Sequence, residues 1–267
     1  MNFSRRFQHS LYLVAATLAL TLVSGCNMFS PVSSPTGDPQ IISAARAKFD
    51  DGDYEGAIAL YAQLSSANQD IAISETAYAH FAEQNASMQS YAAAFGKGNV
   101  AIGPAITTFA EGMIVGAGQT RRVAIFNAFA TYQQLLPINP SLAYLVQFLG
   151  ALSFGAEILA EEGSTDANGN PILTQADLST LQLTGSPSGS LTNLISSPGQ
   201  INTTPATYDM LNAALLDVAS AVASLGTQGS FSSSTIDFAQ AFKLIPAGQT
   251  SVYVQALISQ GVGETGN

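Results

Sequence analysis

Apolar residues recur three and four positions apart along most of the chain, which is the spacing of one face of an α-helix. The sequence contains no run of alternating apolar and polar residues long enough to predict a half-buried strand. The pattern therefore predicts an all-α domain over 40–262, with an irregular insertion over 164–204. The predicted helices cover residues 41–51, 54–66, 104–117, 121–136, 140–162, 208–225, 234–244 and 252–258.

The first two predicted helices form a hairpin with a characteristic set of small and aromatic residues. In the segment FDDGDYEGAIALYAQL, Gly52 stands at the turn, and Tyr54, Ala57 and Tyr61 follow on one helical face. This segment resembles the second half of a tetratricopeptide repeat. The resemblance implies that Gly52 permits a tight turn, that Ala57 lets the two helices approach closely, and that the tyrosines fill the remaining gap.

A further copy of this repeat, about 34 residues on, is degenerate. Tyr78 and Ala79 fit the pattern, but Ala86 occupies the place of the turn glycine. Because a repeat solenoid needs about three copies to bury its core, the later helices must complete the domain. We expect tetratricopeptide-like hairpins over 40–95, packed with the other helices as a short solenoid or an irregular bundle. A helical hairpin unrelated to the repeat family is the alternative.

The beginning of the chain has the three-part pattern of an export signal. Arg5 and Arg6 precede an apolar run over 11–23, and Val23-Ser24-Gly25 brings small residues up to Cys26, the only cysteine in the chain. The segment LVSGC resembles the lipobox of bacterial lipoproteins. The resemblance implies cleavage after Gly25, a thioether-linked diacylglycerol on Cys26, and an acyl chain such as palmitate on its new amino group.

Two other interpretations of this segment stay open: an ordinary secretory signal with an unrelated cysteine, and an uncleaved anchor helix. The apolar run is shorter than the ~20 residues that span a bilayer. As a lipoprotein, the chain would lose residues 1–25 and keep residues 26–39, rich in Pro and Ser, as a lipidated flexible tether. Asn27 after the cysteine resembles lipoproteins sorted to the outer membrane, so we expect an outer-membrane lipoprotein that faces the periplasm.

The charge of the mature chain argues against nucleic acid as a partner. Without residues 1–25 the chain keeps six basic and 18 acidic residues, a formal charge of −12. Nucleic-acid affinity comes mostly from Lys and Arg contacts to phosphate, and anionic lipid headgroups repel an acidic surface in the same way. Membrane attachment is therefore assigned to the acyl chains. With Cys26 lipidated, no thiol is left for a disulfide, a metal site or a nucleophile.

The segment DANGNPILTQAD resembles the twelve-residue calcium loop of EF-hand and dockerin-type proteins. The oxygen ligands that the resemblance implies are Asp166, Asn168, Asn170, the Ile172 carbonyl, Thr174 and Asp177. Pro171 replaces the turn glycine of such loops, and an aspartate closes the loop where a bidentate glutamate is usual. The alternative is a turn followed by a helix, with Thr174 as N-cap and Asp177 completing a capping box.

Several other residues invite an interpretation from their spacing. Gly112 and Gly116 form a GxxxG pattern on the predicted helix 104–117, which favours close packing between buried helices. Arg121-Arg122 is predicted to be a surface pair at a helix start, or else a docking point in an acidic chain. Glu161-Glu162 is predicted to form a solvated helix end.

The sequence offers little to support catalysis. It contains neither GxSxG nor HExxH, and His80, the one histidine left after processing, lies on a helical pattern where a surface or half-buried position is expected. We predict that the protein is not an enzyme and that calcium is the only candidate cofactor.

The expected function is that of a lipid-anchored scaffold or adaptor that binds a protein partner at the membrane. Stacked helical hairpins form concave surfaces that suit extended peptides or helices. The alternative is a periplasmic solute-binding protein, similar to the helical lipoproteins that accompany TRAP-type transporters. In that case the Gly-, Ala- and Phe-rich middle of the chain would line an apolar pocket.

Overall fold

The structure is a computed structural model, and it describes residues 35–87, 90–91, 102–181, 189–226, 252, 254–256 and 258–259. It divides into two compact units, one up to Ser65 and one from Ser66 onward. Each unit has a hydrophobic cluster of its own. The predicted signal peptide, Cys26, most of the predicted tether and the predicted helix 234–244 lie outside the described residues.

The first unit is a helical hairpin, formed by α1 (Asp38–Asp50) and α2 (Tyr54–Tyr61). Gly52 lies in the turn with φ +79°, a left-handed conformation that glycine adopts without a steric penalty. Ala57 and Tyr61 are fully buried between the two helices. The roles that the sequence predicts for these three residues are thus consistent with their positions, and the predicted hairpin is confirmed.

The bounds of both helices differ from the prediction at the ends of the hairpin. α1 begins at Asp38, within the predicted tether, because Pro39 fits the first turn of a helix, where no backbone N–H is needed. α2 ends at Tyr61, five residues earlier than predicted. The N–H and Oγ of Ser65 donate to the Asp38 carboxylate over 3.1 and 2.5 Å, which directs the chain away from the helical path.

The second unit consists of helices around one long central helix. Its first turn is a 3-10 helix, Ser66–Asn68. The α-helices that follow are α3 (Gln69–Glu83), α4 (Ile102–Glu111), α5 (Gln119–Ala130), α6 (Tyr132–Leu135), α7 (Pro140–Glu162), α8 (Gln175–Leu178), α9 (Leu191–Leu194), α10 (Pro198–Thr203) and α11 (Tyr208–Gly226). An antiparallel pair, β1 (Ser164–Thr165) and β2 (Pro171–Ile172), lies between α7 and α8.

The central helix is α7, whose bounds agree with the prediction at both ends. The Asn139 side chain accepts from the Leu142 N–H at its start, and Gly163 follows its last residue. Every residue from 146 to 160 is buried. α7 packs against α3, α4, α5, α6 and α11, and thereby forms the core of the unit.

By length and composition, α7 could also cross a membrane, and it is the one helix among the described residues that passes this test. However, 83% of its most apolar window is buried inside the second unit. A mostly buried helix of this kind is typical of the core of a folded domain. α7 is therefore a core helix.

The region between α4 and α5 contradicts the prediction of a helix over 104–117. α4 ends at Glu111, and Gly116 has φ +82°, which lies outside the helical region. Gly112 and Gly116 are therefore in a turn, and the predicted GxxxG helix contact is wrong. The physical reason is that the side chain of Arg121, later in the chain, donates to the carbonyls of Met113 and Val115 in this turn. The spacing of apolar residues over 104–117 carries no information about that contact.

Other predicted elements are confirmed with smaller changes. The predicted helix 121–136 is divided at Thr131 into α5 and α6, and 208–225 corresponds to α11. The irregular stretch 164–204 contains the β1–β2 pair and the short helices α8, α9 and α10. Among the described residues the fold is helical apart from that one pair of two-residue strands, so the predicted all-α class is confirmed.

Candidate functional site

The most polar part of the core is a cluster of four charged side chains, here called the Arg–Glu cluster: Arg121, Arg122, Glu157 and Glu161. The two arginines are consecutive at the start of α5, and the two glutamates are one helical turn apart near the end of α7. Arg122 and Glu157 have no solvent exposure, and Arg121 retains only 6%. The predicted surface position of the Arg121-Arg122 pair is therefore wrong.

Arg121 and Glu157 form the inner pair of the cluster. Arg121 Nε donates to Glu157 Oε2 over 2.6 Å, and the Gly118 N–H donates to Glu157 Oε1 over 2.8 Å. The remaining nitrogens of the guanidinium donate to the carbonyls of Met113 and, over 3.0 Å, of Val115. These four contacts stabilise the turn formed by residues 112–118, because they connect two carbonyls and one N–H group of the turn to α5 and α7.

Arg122 and Glu161 form the outer pair. Arg122 Nε lies 3.1 Å from Glu161 Oε1. Its Nη2 donates to the Thr204 carbonyl over 2.9 Å, and its Nη1 lies 3.7 Å from Met210 Sδ. A single buried guanidinium therefore connects α5, the end of α7 and the segment that joins α10 to α11. The predicted solvated position of Glu161 is wrong for the same reason.

Burial dominates the titration of both glutamates. Desolvation raises the pKa of Glu157 to about 7, against the opposing effects of the Gly118 N–H and of Arg121. Desolvation also raises the pKa of Glu161, against the nearby charge of Arg122. The carboxylate of Glu157 is enclosed by groups of this chain. The cluster can therefore position the α4–α5 turn.

A second buried carboxylate, Asp217, joins three helices. Asp217 of α11 accepts from Gln147 Nε2 over 2.9 Å and from the Leu191 N–H over 2.7 Å. It thus connects α11 to α7 and to the first residue of α9. Burial raises the pKa of Asp217 to about 6, against the effect of these two hydrogen bonds.

These raised pKa values predict that the protein is more stable at pH 5 than at pH 7.5. Between about pH 4.5 and 7 the folded state binds more protons at Glu157 and Asp217 than the unfolded state does, so the free energy of unfolding falls as pH rises through this window. Asp53 and Asp166, whose pKa values are lowered, change the free energy of unfolding only below about pH 4. Urea titrations at several pH values measure this dependence.

Asp217→Asn is the variant that checks the contribution of this carboxyl to the pH dependence. Its free energy of unfolding should vary less between pH 5 and 7.5 than that of the original chain, because the group that titrates is gone. Asp50→Asn, at an exposed position, is the control for the loss of one carboxylate charge. A slope that is identical in all three proteins would contradict the assignment.

The predicted calcium loop forms the β1–β2 turn and the start of α8. Asp166 Oδ1 accepts from the N–H groups of Asn168 and Asn170, and Asp166 Oδ2 accepts from Asn170 Nδ2, at 2.8, 2.8 and 2.9 Å. Asp177 Oδ2 accepts from the N–H and Oγ1 of Thr174, both at 2.6 Å, and from Ser164 Oγ at 3.2 Å. The capping box between Thr174 and Asp177 is therefore confirmed.

Calcium binding at this loop stays a prediction. The Ile172 carbonyl belongs to β2, and both carboxylates already accept hydrogen bonds within the loop. Among the described residues there is no group of three or more His, Cys, Asp or Glu side chains that could hold a metal ion. A calcium ion would therefore have to compete with the donors that Asp166 and Asp177 already bind.

Asp177→Ala is expected to lower the free energy of unfolding by about 1 kcal/mol, because it removes one half of the capping box. Thermal unfolding with and without millimolar calcium measures this loss. If the carboxylate only caps the helix, calcium leaves the melting temperatures of both proteins unchanged. A rise in melting temperature with calcium that is seen in the original chain and lost in both Asp177→Ala and Asp166→Ala would instead establish the metal site.

His80 is half-buried on α3, as the sequence predicts, and its Nδ1 lies 3.5 Å from Glu83 Oε2.

The sequence did not lead to a prediction for Glu157 and Asp217. Their position in the sequence could have revealed them. Each lies within a long helix at a helical spacing from apolar residues, and that spacing predicts a buried side chain. Comparisons of the chain with protein-family models, with curated proteins and with solved structures gave no match.

Proposed function

We propose that this protein is a lipid-anchored scaffold or adaptor, attached to the periplasmic face of the outer membrane and bound to a protein partner. The observation that carries the proposal is the lipobox, Val23-Ser24-Gly25-Cys26, at the end of an apolar segment in a chain with no other cysteine. Two or three acyl chains give firm attachment, since each buried methylene contributes about 0.8 kcal/mol. The strongly acidic chain has no comparable electrostatic attraction to the membrane.

The N-terminal hairpin is the part that we assign to partner binding, as the first hairpin of a short tetratricopeptide-like solenoid. Three features support this assignment: the left-handed Gly52 in the turn, the fully buried Ala57 between the helices, and the buried Tyr61 beside it. Each matches the role of the corresponding position in such a repeat. Solenoids of this type bind extended peptides or helices on their concave face.

The chemistry of the core supports a binding role over a catalytic one. The inner pair, Arg121 and Glu157, directs its polar atoms to Met113, Val115 and Gly118 of the same chain. Asp217 is likewise buried and hydrogen-bonded to α7 and α9. These ionisable groups organise the fold, and a catalytic acid or base must instead reach a substrate.

Two measurements test the anchor. Mass spectrometry of the protein from membranes should show a chain that begins at Cys26 and carries two or three acyl chains. Cys26→Ser should release the protein from the membrane fraction, because the thioether lipid cannot form. A Cys26→Ser variant that stays in the membrane, or an unmodified cysteine in the original protein, would contradict the anchor.

Site-specific photo-crosslinking tests the partner. A photoreactive residue at Ala59, exposed on α2, should capture one dominant envelope protein in intact cells. The matched control is Ala176, an exposed alanine on α8 of the second unit, which should capture none. Equal capture at both positions, or none at Ala59, would contradict the assignment. In that case, native mass spectrometry of the purified protein would test the solute-binding alternative by the mass of a retained small molecule.

A further inference from the structure

Asp217 of α11 is a buried carboxyl group without a countercharge. It is 2% exposed, and its hydrogen-bond donors are Gln147 Nε2 of α7, at 2.9 Å, and the Leu191 N–H of α9, at 2.7 Å. Among the described residues no Lys or Arg forms an ion pair with it, whereas Glu157 and Glu161 each face an arginine. Its negative charge is therefore stabilised by neutral donors, which compensate only in part for the burial of a charge.

Tyr132 of α6 is the one titratable group of the described residues on which the charge of Asp217 acts. Burial first, and then this charge, raise the pKa of Tyr132, so its hydroxyl stays neutral. A protonated Asp217 can still accept from Gln147 and Leu191, because a carboxylic acid keeps acceptor sites on its oxygens. The observed arrangement is therefore compatible with the neutral carboxyl and unfavourable for the ionised one.

α9, which donates one of these hydrogen bonds, is a short segment of the second unit. It is four residues long, and Leu191 at its start and Ile195 directly after it are buried. Gly189, just before it, has φ +134°, a conformation that glycine adopts without a steric penalty. On the other side, the Ser196 N–H donates to the Gln200 side chain of α10 over 2.8 Å. A permissive residue therefore precedes the segment, and a fixed one follows it.

Movement of α9 away from α11 would hydrate Asp217. A four-residue helix has little stability of its own, and regions with few buried side chains open at the lowest free energy. When α9 opens, water replaces the Leu191 N–H at the carboxyl group. The ionised form gains most from this exchange, because hydration favours a charge much more than a neutral carboxyl. Ionisation therefore favours the open segment, and protonation favours the closed one.

We propose that α9 is a pH-dependent flap of the second unit, which is closed when Asp217 is protonated and opens when Asp217 is ionised. Burial raises the pKa of this carboxyl from 3.8 to about 6 in the closed arrangement, and hydration in the open one returns it toward 3.8. The closed form thus binds the proton more tightly, so opening increases as pH rises through about 6. Opening uncovers Asp217 and Gln147. The flap depends neither on the lipid anchor nor on the partner proposed for the hairpin.

Hydrogen exchange followed by mass spectrometry on the purified protein measures the opening. The reporting amides are those of Asn193, Leu194 and Ile195, which donate to carbonyls one turn earlier. After correction for the intrinsic pH dependence of exchange, their protection should fall about tenfold from pH 5 to pH 7.5, the factor that the two pKa values imply. Amides at the centre of α7 should stay more protected at both pH values. Unchanged protection in α9, or equal protection in α9 and α7, would overturn the flap.

Asp217→Asn tests the carboxyl group itself. Asparagine cannot ionise, so the corrected protection of α9 should be the same at pH 5 and pH 7.5 in this variant. Asp50→Asn, at an exposed position in the first unit, controls for the loss of one carboxylate charge and should show the same fall as the original chain. A tenfold fall that persists in Asp217→Asn would overturn the proposal. If that variant does not fold, the comparison of α9 with α7 in the original chain decides.

Discussion

Replacing Arg122 by leucine is expected to lower the free energy of unfolding by about 3–5 kcal/mol, the usual loss when one partner of a buried ion pair is removed. Arg122 is fully buried, so leucine leaves the Glu161 carboxylate without its nearest countercharge and the Thr204 carbonyl without its donor. Urea titration followed by circular dichroism measures this loss.

The double variant Arg122→Leu/Glu161→Leu distinguishes the effect of breaking the ion pair from the effect of changing the side-chain volume. It should regain most of the lost stability, because it removes both charges and keeps apolar side chains in the space. Lys48→Leu is the control at an exposed ion pair: Lys48 and Asp53 are 42% and 47% exposed, and solvent screens their attraction, so the effect should be small. A double variant as unstable as the single one would show that the charge pair is not the cause.

Replacing Gly150 by alanine is expected to destabilise the second unit although alanine is the better helix former. An added Cβ at Gly150 would lie 2.8 Å from Phe129 Cβ, 2.9 Å from Phe129 Cα and 2.8 Å from Phe81 Cζ. α5 would have to move away from α7. We expect a net loss of about 1–2 kcal/mol, since overpacking costs about 1–3 and the helix preference of alanine returns at most ~1.

Gly155 on the same helix provides the matched control. An added Cβ there would lie 3.3 Å from the terminal methyl groups of Ile106 and Leu211, which can rotate away. Gly155→Ala should therefore leave the free energy of unfolding unchanged or raise it by up to ~1 kcal/mol. Thermal and urea unfolding of the two variants side by side measures the difference. Equal stabilities would contradict the close approach of α5 and α3 to α7 at Gly150.

Local signals determined a large part of the fold. The bounds of α7 follow from Asn139 and Pro140 at its start and Gly163 after its end, and each of these signals acts within one helical turn. The Thr174–Asp177 capping box spans three residues and was visible for the same reason. The hairpin turn at Gly52 also depends only on its own backbone conformation.

The ends of helices were less predictable where distant residues take part. α2 ends early because Ser65 binds Asp38, 27 positions before it. α4 ends at Glu111, and the turn after it is held by Arg121 and by Glu157, which bonds Gly118 from 39 positions later. The GxxxG pattern could not reveal this, because it describes residues on a continuous helix and carries no information on what interrupts that helix.

The sequence by itself determined the helical class, the hairpin and the central helix, because each depends on neighbouring residues whose geometry is local. Only the tertiary structure decided that Arg121, Arg122, Glu157 and Glu161 lie in the core. Charge predicts exposure for a side chain considered alone, and burial becomes favourable only when a partner is brought within hydrogen-bond distance. Those partners, such as Arg121 and Glu157, are 36 positions apart along the chain, and it is folding that places them 2.6 Å apart.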